Sequence, residues 1–407
     1  MIALFAGLLW VLAVSDAAAA ENGAPLFDLP PRPEADFAGH SVNVTYALVG
    51  FPDGSAALQG SITPADREKG KETTPERLWF IRIGRDGQAR YWIRLPELSV
   101  RGATAMLGLA DGGVVLMAAG PAYVYLAKVD GDGALLWEQH FESGTYAGGL
   151  PPPIALVDGF AILEDYPQSC LLRRLDANGV ERWHVEIQNP VRASTPATYS
   201  APVMVAPRPD GGLTVLCDWP NDPAERADGW FSNVDPQGQL RWQRPLRAFA
   251  ATGLALSDGT LAVFGLVHRI PDNPDDPYLG EEDAQALMRY DAAEGKILRR
   301  DWHLFPGETD APWRPEIAGE LVALPDGELL AVTEPRYGGA RGRLAARIDR
   351  QHRLIWLRPL TGDSEDPDTA QIGGTAVLGS RQVLFAINWY DAAADLASAT
   401  LRVLPLD

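Results

Sequence analysis

The motif Asp-x-x-Gly-x-x-x-Trp returns along most of this chain, and few folds are open to a sequence built on such a return. Strict copies are Asp130–Gly133–Trp137, Asp176–Gly179–Trp183 and Asp235–Gly238–Trp242. Asp349–His352–Trp356 keeps the spacing with His in the glycine position; looser copies run Asp86–Gly87–Trp92 and Asp291–Gly295–Trp302. Each copy stands between apolar runs of strand-like composition, such as Cys-Leu-Leu-Arg-Arg-Leu (170–175) and Val-Glu-Arg-Trp-His-Val-Glu-Ile (180–187). Asp at the first position and Gly at the fourth suit a type I turn closed by a left-handed residue. Such a turn joins two antiparallel strands through a short bulged loop. The Trp then falls on the outgoing strand, where it seals the seam against the next unit. Removing a buried Trp costs about 3–5 kcal/mol.

A second punctuation alternates with the first. Asp-Gly sits between apolar runs at Asp53-Gly54, Asp111-Gly112, Asp158-Gly159, Asp210-Gly211, Asp258-Gly259 and Asp326-Gly327, and Leu378-Gly379-Ser380 holds the seventh place. Asp-Gly between alternating hydrophobics is a strong hairpin signal. Each unit reads hairpin, connection, hairpin, and it recurs about every 50–60 residues, the range of radial arrays. The reading is an all-β, seven-bladed β-propeller of four-stranded antiparallel blades over residues 41–407. The seventh blade has strands at Gly374–Gly379, Gln382–Trp389 and Thr400–Pro405 only. Residues around Phe37–Asn43 are expected to add its fourth strand and close the ring between the N- and C-terminal strands.

Tyr290-Asp-Ala-Ala-Glu-Gly-Lys-Ile-Leu and Leu175-Asp-Ala-Asn-Gly-Val-Glu-Arg-Trp resemble the repeats of the PQQ-like, or quinoprotein-like, β-propellers. The resemblance covers most of 42–407 and is closer to the non-catalytic scaffolds of that family than to its quinone-dependent dehydrogenases. The shared motif is a packing device, so it implies architecture first. A dehydrogenase of the family needs a Ca²⁺ or similar ion beside the quinone and a flat aromatic stacking partner, and no residue here is assigned to either. Cys170 and Cys217 are not sequence neighbours, so the vicinal disulfide of some family alcohol dehydrogenases is absent.

The chain opens on an apolar run followed by Ala17–Ala20. Residues 1–20 read as a cleaved signal peptide and 21–40 as a Pro-rich extended lead-in. A periplasmic or secreted protein is expected, with no membrane insertion of the mature chain. The formal net charge of −19 disfavours nucleic acid and anionic lipid as partners. Outside the cytoplasm the two cysteines, Cys170 and Cys217, can pair. They fall at the same end of adjacent blades, and a bridge or two separate buried thiols both fit.

Both kinds of tight turn lie at one end of every blade, so the long connections emerge at the other, where a rigid scaffold carries function. His268–Asp283 gathers Asp272, Asp275, Asp276 and Tyr278; Trp219, Trp313 and Trp389 add aromatic surface. These eight residues (Trp219, His268, Asp272, Asp275, Asp276, Tyr278, Trp313 and Trp389) are the candidate ligand-binding set. The acidic stretch has no ordered calcium-loop spacing, so no cofactor is expected, with calcium the one ion left open. No Gly-x-Ser-x-Gly elbow, His-Glu-x-x-His pair or phosphate-binding glycine loop appears. The expectation is a non-catalytic scaffold binding a protein or peptide through its long loops. A quinone-dependent dehydrogenase, a metal-dependent lactonase-like hydrolase and a carbohydrate-binding propeller are the alternatives.

Overall fold

The tight turns form as their chemistry requires, and the sheets follow from them. In the computed structural model, the described residues are 40–64, 77–85, 88–97, 104–120, 122–142, 150–166, 169–188, 201–218, 229–246, 249–268, 283–302, 320–333, 336–337, 340–341, 344–360, 370–378, 382–391 and 396–406. They are all-β, with seven antiparallel blades in chain order, and the class is the seven-bladed β-propeller expected. Residues 86–87 and 379–380, which carry two of the expected turns, lie outside the described set.

Blade 1 is β1 (His40–Gly50), β2 (Ala56–Pro64), β3 (Arg77–Ile83) and β4 (Ala89–Glu97). Blade 2 is β5 (Thr104–Gly108), β6 (Val114–Ala119), β7 (Tyr123–Val129) and β8 (Leu135–Glu142). Blade 3 is β9 (Ile154–Leu156), β10 (Gly159–Tyr166), β11 (Ser169–Asp176) and β12 (Glu181–Gln188). Blade 4 is β13 (Ala201–Pro207), β14 (Leu213–Asp218), β15 (Trp230–Val234) and β16 (Leu240–Pro245). Blade 5 is β17 (Phe249–Ala255), β18 (Thr260–His268), β19 (Asp283–Asp291) and β20 (Ile297–Trp302). In blade 6, β21 (Leu321–Ala323) and β22 (Leu329–Thr333) are followed by a two-stranded ribbon, β23 (Arg336–Tyr337) with β24 (Ala340–Arg341). The blade then resumes with β25 (Leu344–Ile348) and β26 (Leu354–Pro359). Blade 7 has three strands among the described residues: β27 (Ala370–Leu378), β28 (Gln382–Asp391) and β29 (Leu396–Pro405).

Chain contacts divide into two units, Met1–Val100 with Gly362–Asp407, and Arg101–Thr361. In the first unit, blade 1 packs on blade 7 through Leu48, Leu58, Trp79 and Ile81 against Leu384, Leu401 and Val403. The N- and C-terminal blades therefore meet as expected, but face to face. His40–Asn43 do not add a strand to blade 7; they pair with Pro64–Ser61 inside blade 1, continuing the ladder that the Asp53-Gly54 turn starts. The two backbones come so close that a Cβ on Gly50 would lie 2.0 Å from the Val377 carbonyl oxygen.

In the second unit, blades 2 to 6 stack through successive apolar seams. The Asp-x-x-Gly turn explains itself here. Asp176 Oδ1 accepts the Asn178 and Val180 amides at 2.9 and 3.0 Å, and Gly179 takes φ +76°. A bulge follows at Arg174/Leu175, as it does in every repeat of this unit, and it sets Trp183 opposite Arg174. The indole reaches the next blade. A Cβ on Gly238 would lie 2.8 Å from the Trp183 ring, and Trp183 Nε1 donates to the Pro236 carbonyl at 3.0 Å. Trp137 sits the same way on Gly179 and donates to the Ala177 carbonyl at 3.1 Å; Trp242 sits on Gly295. Glycine is needed at these turns twice over, for its left-handed φ and for the indole that rests where a side chain would be.

Trp92 and Trp302 differ. They stand opposite Ile81 and Ala286, and the register position of the indoles is held by Tyr91 and Arg299 instead. Trp356 keeps the register, opposite Arg347, with Arg358 over its ring at 4.6 Å. Trp183→Ala is expected to cost about 3 kcal/mol, the low end of the range for Trp because the indole is only half-buried. Urea unfolding reads this directly; a loss below about 1 kcal/mol, the size of a minor surface change, would mean the seam does not depend on the ring.

Candidate functional site

At the tight-turn end the carboxylates are engaged within the fold. Asp111, Asp210 and Asp326 each accept the amide two residues on, at 3.0 Å. The third strand then reaches back across the blade: Arg174 meets Asp158 at 2.8 Å, Arg347 meets Asp326 at 3.0 Å, and Arg289 bonds Asp258. These arginines stand two residues before the repeat aspartates, a periodic signal that the sequence reading passed over. Asp158 titrates below the usual carboxylate range because Arg174 hydrogen-bonds it and supplies the opposing charge.

Two of the candidate residues, His268 and Trp389, lie on described strands. His268 closes β18 and pairs in register with Asp283, the first residue of β19, so the two flank the acidic stretch. Trp389, in the other unit, lies near the C-terminal end of β28, opposite Ala370 and Ser398. Trp219, Asp272, Asp275, Asp276, Tyr278 and Trp313 lie outside the described residues. Among the described residues, no group of three or more His, Cys, Asp or Glu side chains is placed to hold a metal ion, and no helix is long and apolar enough to cross a membrane.

Two features were beyond pattern reading or only partly within it. Cys170 and Cys217 form a disulfide across the seam of blades 3 and 4, with Cα atoms 6.6 Å apart, inside the range a bridge requires. In the neighbouring seam, Arg173 links two blades. Its Nε is 2.6 Å from Glu164 Oε1, its Nη1 is 2.6 Å from Glu181 Oε2, and its Nη2 donates to the Glu142 carbonyl of blade 2 at 2.7 Å. His184 completes the chain at the surface, its Nδ1 2.7 Å from Glu181 Oε1. Burial opposes the charge on Glu181, but the bonds from His184 and Arg173 outweigh it and hold the carboxyl below its usual range. Glu164 and Asp165 follow directly on the apolar run of β10, the sequence sign of a buried partner.

No family model matches this sequence, and no curated protein does. Solved structures do. A polysaccharide lyase aligns over 94% of this chain and 98% of its own at 11% identity, with a TM-score of 0.51. A hydrazine synthase from Kuenenia stuttgartiensis aligns over 88% and 95% at 11% identity, TM-score 0.50. A protein from Lactobacillus plantarum aligns over 83% and 97% at 12% identity, TM-score 0.50. At these identities the likeness is one of fold, and the fold is that of β-propellers of several kinds.

Proposed function

We propose that this protein is an extracytoplasmic, non-catalytic propeller of the quinoprotein-like kind that binds a protein or peptide through its long connections. One observation carries the reading: the asymmetry of the blade ends. The tight-turn end directs its carboxylates at its own amides and arginines, whereas the candidate aromatic and acidic residues fall, in sequence, within or beside the long connections between strands. Rigid scaffolds place recognition on such connections, and Trp and Tyr are the side chains that dominate protein recognition. The Cys170–Cys217 bridge supports an oxidising compartment, in keeping with the apolar opening of the chain. The Asp-x-x-Gly-x-x-x-Trp repeat is the ground for the quinoprotein-like kinship.

Selection of displayed peptides on the full chain tests the reading. Enriched peptides are expected to bind the Trp219→Ala/Tyr278→Ala/Trp313→Ala variant at least tenfold more weakly, about 1.4 kcal/mol, while its unfolding curve matches the parent. Equal binding by both proteins, or capture of glycans on an array with no peptide enriched, would overturn it.

A further inference from the structure

At the seam between blades 5 and 6 the fold departs from its own rule. At the three seams before it, an indole rests on a glycine. Here the indole position is Arg299, opposite Arg289, and the facing turn carries His352 in place of glycine. His352 keeps the left-handed backbone, φ +58°, a conformation His tolerates better than most residues. It is 5% exposed. Its Nδ1 lies 2.6 Å from Asp301 Oδ2 of blade 5. Arg299 holds both oxygens of the same carboxylate, Nε to Oδ2 at 2.5 Å and Nη2 to Oδ1 at 2.8 Å. The other imidazole nitrogen, Nε2, is buried with no hydrogen-bond partner among the described residues.

That arrangement suits a neutral imidazole. The guanidinium already balances Asp301, so Nδ1–H donates to a compensated carboxylate. A proton on Nε2 would add a second cation beside Arg299, with Arg289 of β19 also near, and would create a buried N–H lacking an acceptor. On its own turn, Asp349 is engaged by the Gln351 and Arg353 amides and by the Arg353 guanidinium. Burial is the main reason the imidazole titrates below its ordinary range; the Asp301 bond and charge oppose this, and Arg299 and Arg289 reinforce it. Asp301 is itself pushed up by burial and held down more strongly by its bonds from Arg299 and His352.

We propose that His352 is an acid-sensitive latch, fastening blade 5 to blade 6 as a neutral imidazole and loosening that seam when it takes up a proton. The sign follows from linkage. Above about pH 6.5 the imidazole is neutral in both folded and unfolded chains, and its contribution is fully present. As pH falls below that value the unfolded chain binds a proton that the folded chain resists, and stability is lost.

Urea unfolding of the full chain at pH 7.5 and 5, with His352→Asn as comparison, tests this. Asn accepts the left-handed turn and does not titrate. His40, His140, His184, His268 and His303 are common to both proteins and cancel. On acidification the unfolding constant of the parent is expected to rise relative to that of the variant, about tenfold for each unit by which the folded imidazole is depressed. Protection of the amides in β20 and β26, measured against their intrinsic exchange rates, should fall at pH 5 in the parent alone. His352→Gly, which restores the glycine of the strict repeats, gives the same comparison should the Asn variant fail to fold. Parallel pH profiles, or a parent that gains relative stability in acid, would overturn the proposal.

Discussion

Replacing Arg173 with Met is expected to cost about 3–5 kcal/mol, because it removes the cation paired with a buried carboxylate. Glu164 is 0% exposed. Its carboxylate is held at 2.6 Å by Arg173 Nε, and the same guanidinium ties Glu181 and the Glu142 carbonyl of the preceding blade. Met fills much of the volume and lies as readily beside Phe141, over which the guanidinium now sits at 5.2 Å. The loss is therefore electrostatic more than steric. In the variant the Glu164 carboxyl is driven above its ordinary value of about 4.3 by burial. The folded chain then holds a proton that the unfolded chain has released, so stability is highest below that value and is lost as pH rises through the raised one. Urea unfolding from pH 5 to 8 reads both effects. The Arg173→Met/Glu164→Leu double variant, which removes both charges, should recover most of the loss. A double variant as unstable as the sum of the single ones would refute the argument, since the penalty would then belong to packing.

The limits of sequence reading follow from range. The Asp-x-x-Gly turns were legible because each is closed by atoms at most four residues apart, as Asp176 is with Asn178 and Val180. The tryptophans were legible as seam residues because they recur at one distance from a turn. What they touch was not, since Trp183 meets Gly238 and Pro236 more than fifty residues on. The loose copies misled for a related reason. Extra residues between Asp291 and Trp302 shift the register, so Arg299 takes the indole position and Trp302 falls opposite Ala286. His40–Asn43 looked free to complete blade 7, but their pairing with Ser61–Pro64 simply extends a ladder already begun at Gly50 and Ala56. Six of the eight candidate binding residues fall between the described strands, in stretches of sequence with no period at all. The alternation of turns locates those stretches along the chain, and nothing local in them signals which side chains come together.

Loss of the Cys170–Cys217 bridge should be as costly as loss of Arg173, by a different route. The bond closes a loop of sequence separation 47. In the chain-entropy model a loop of that size removes about 4 kcal/mol of freedom from the unfolded chain. The folded side changes little, because both cysteines are buried with Leu163, Leu172, Ile187 and Val215 in the seam of blades 3 and 4. Alanine at both positions leaves that seam apolar, so the Cys170→Ala/Cys217→Ala variant isolates the cross-link. Its urea midpoint should fall by the equivalent of about 4 kcal/mol, and added reductant should shift the parent to nearly the same midpoint while leaving the variant unmoved. Burial also dictates the kinetics: a thiol reagent reaches these sulfurs only when the seam opens, so reduction of the native protein should slow as stabilising salt is added and quicken with urea. Two free thiols titrated in the unfolded, unreduced protein would remove the bridge, and with it the support it gives to an oxidising compartment.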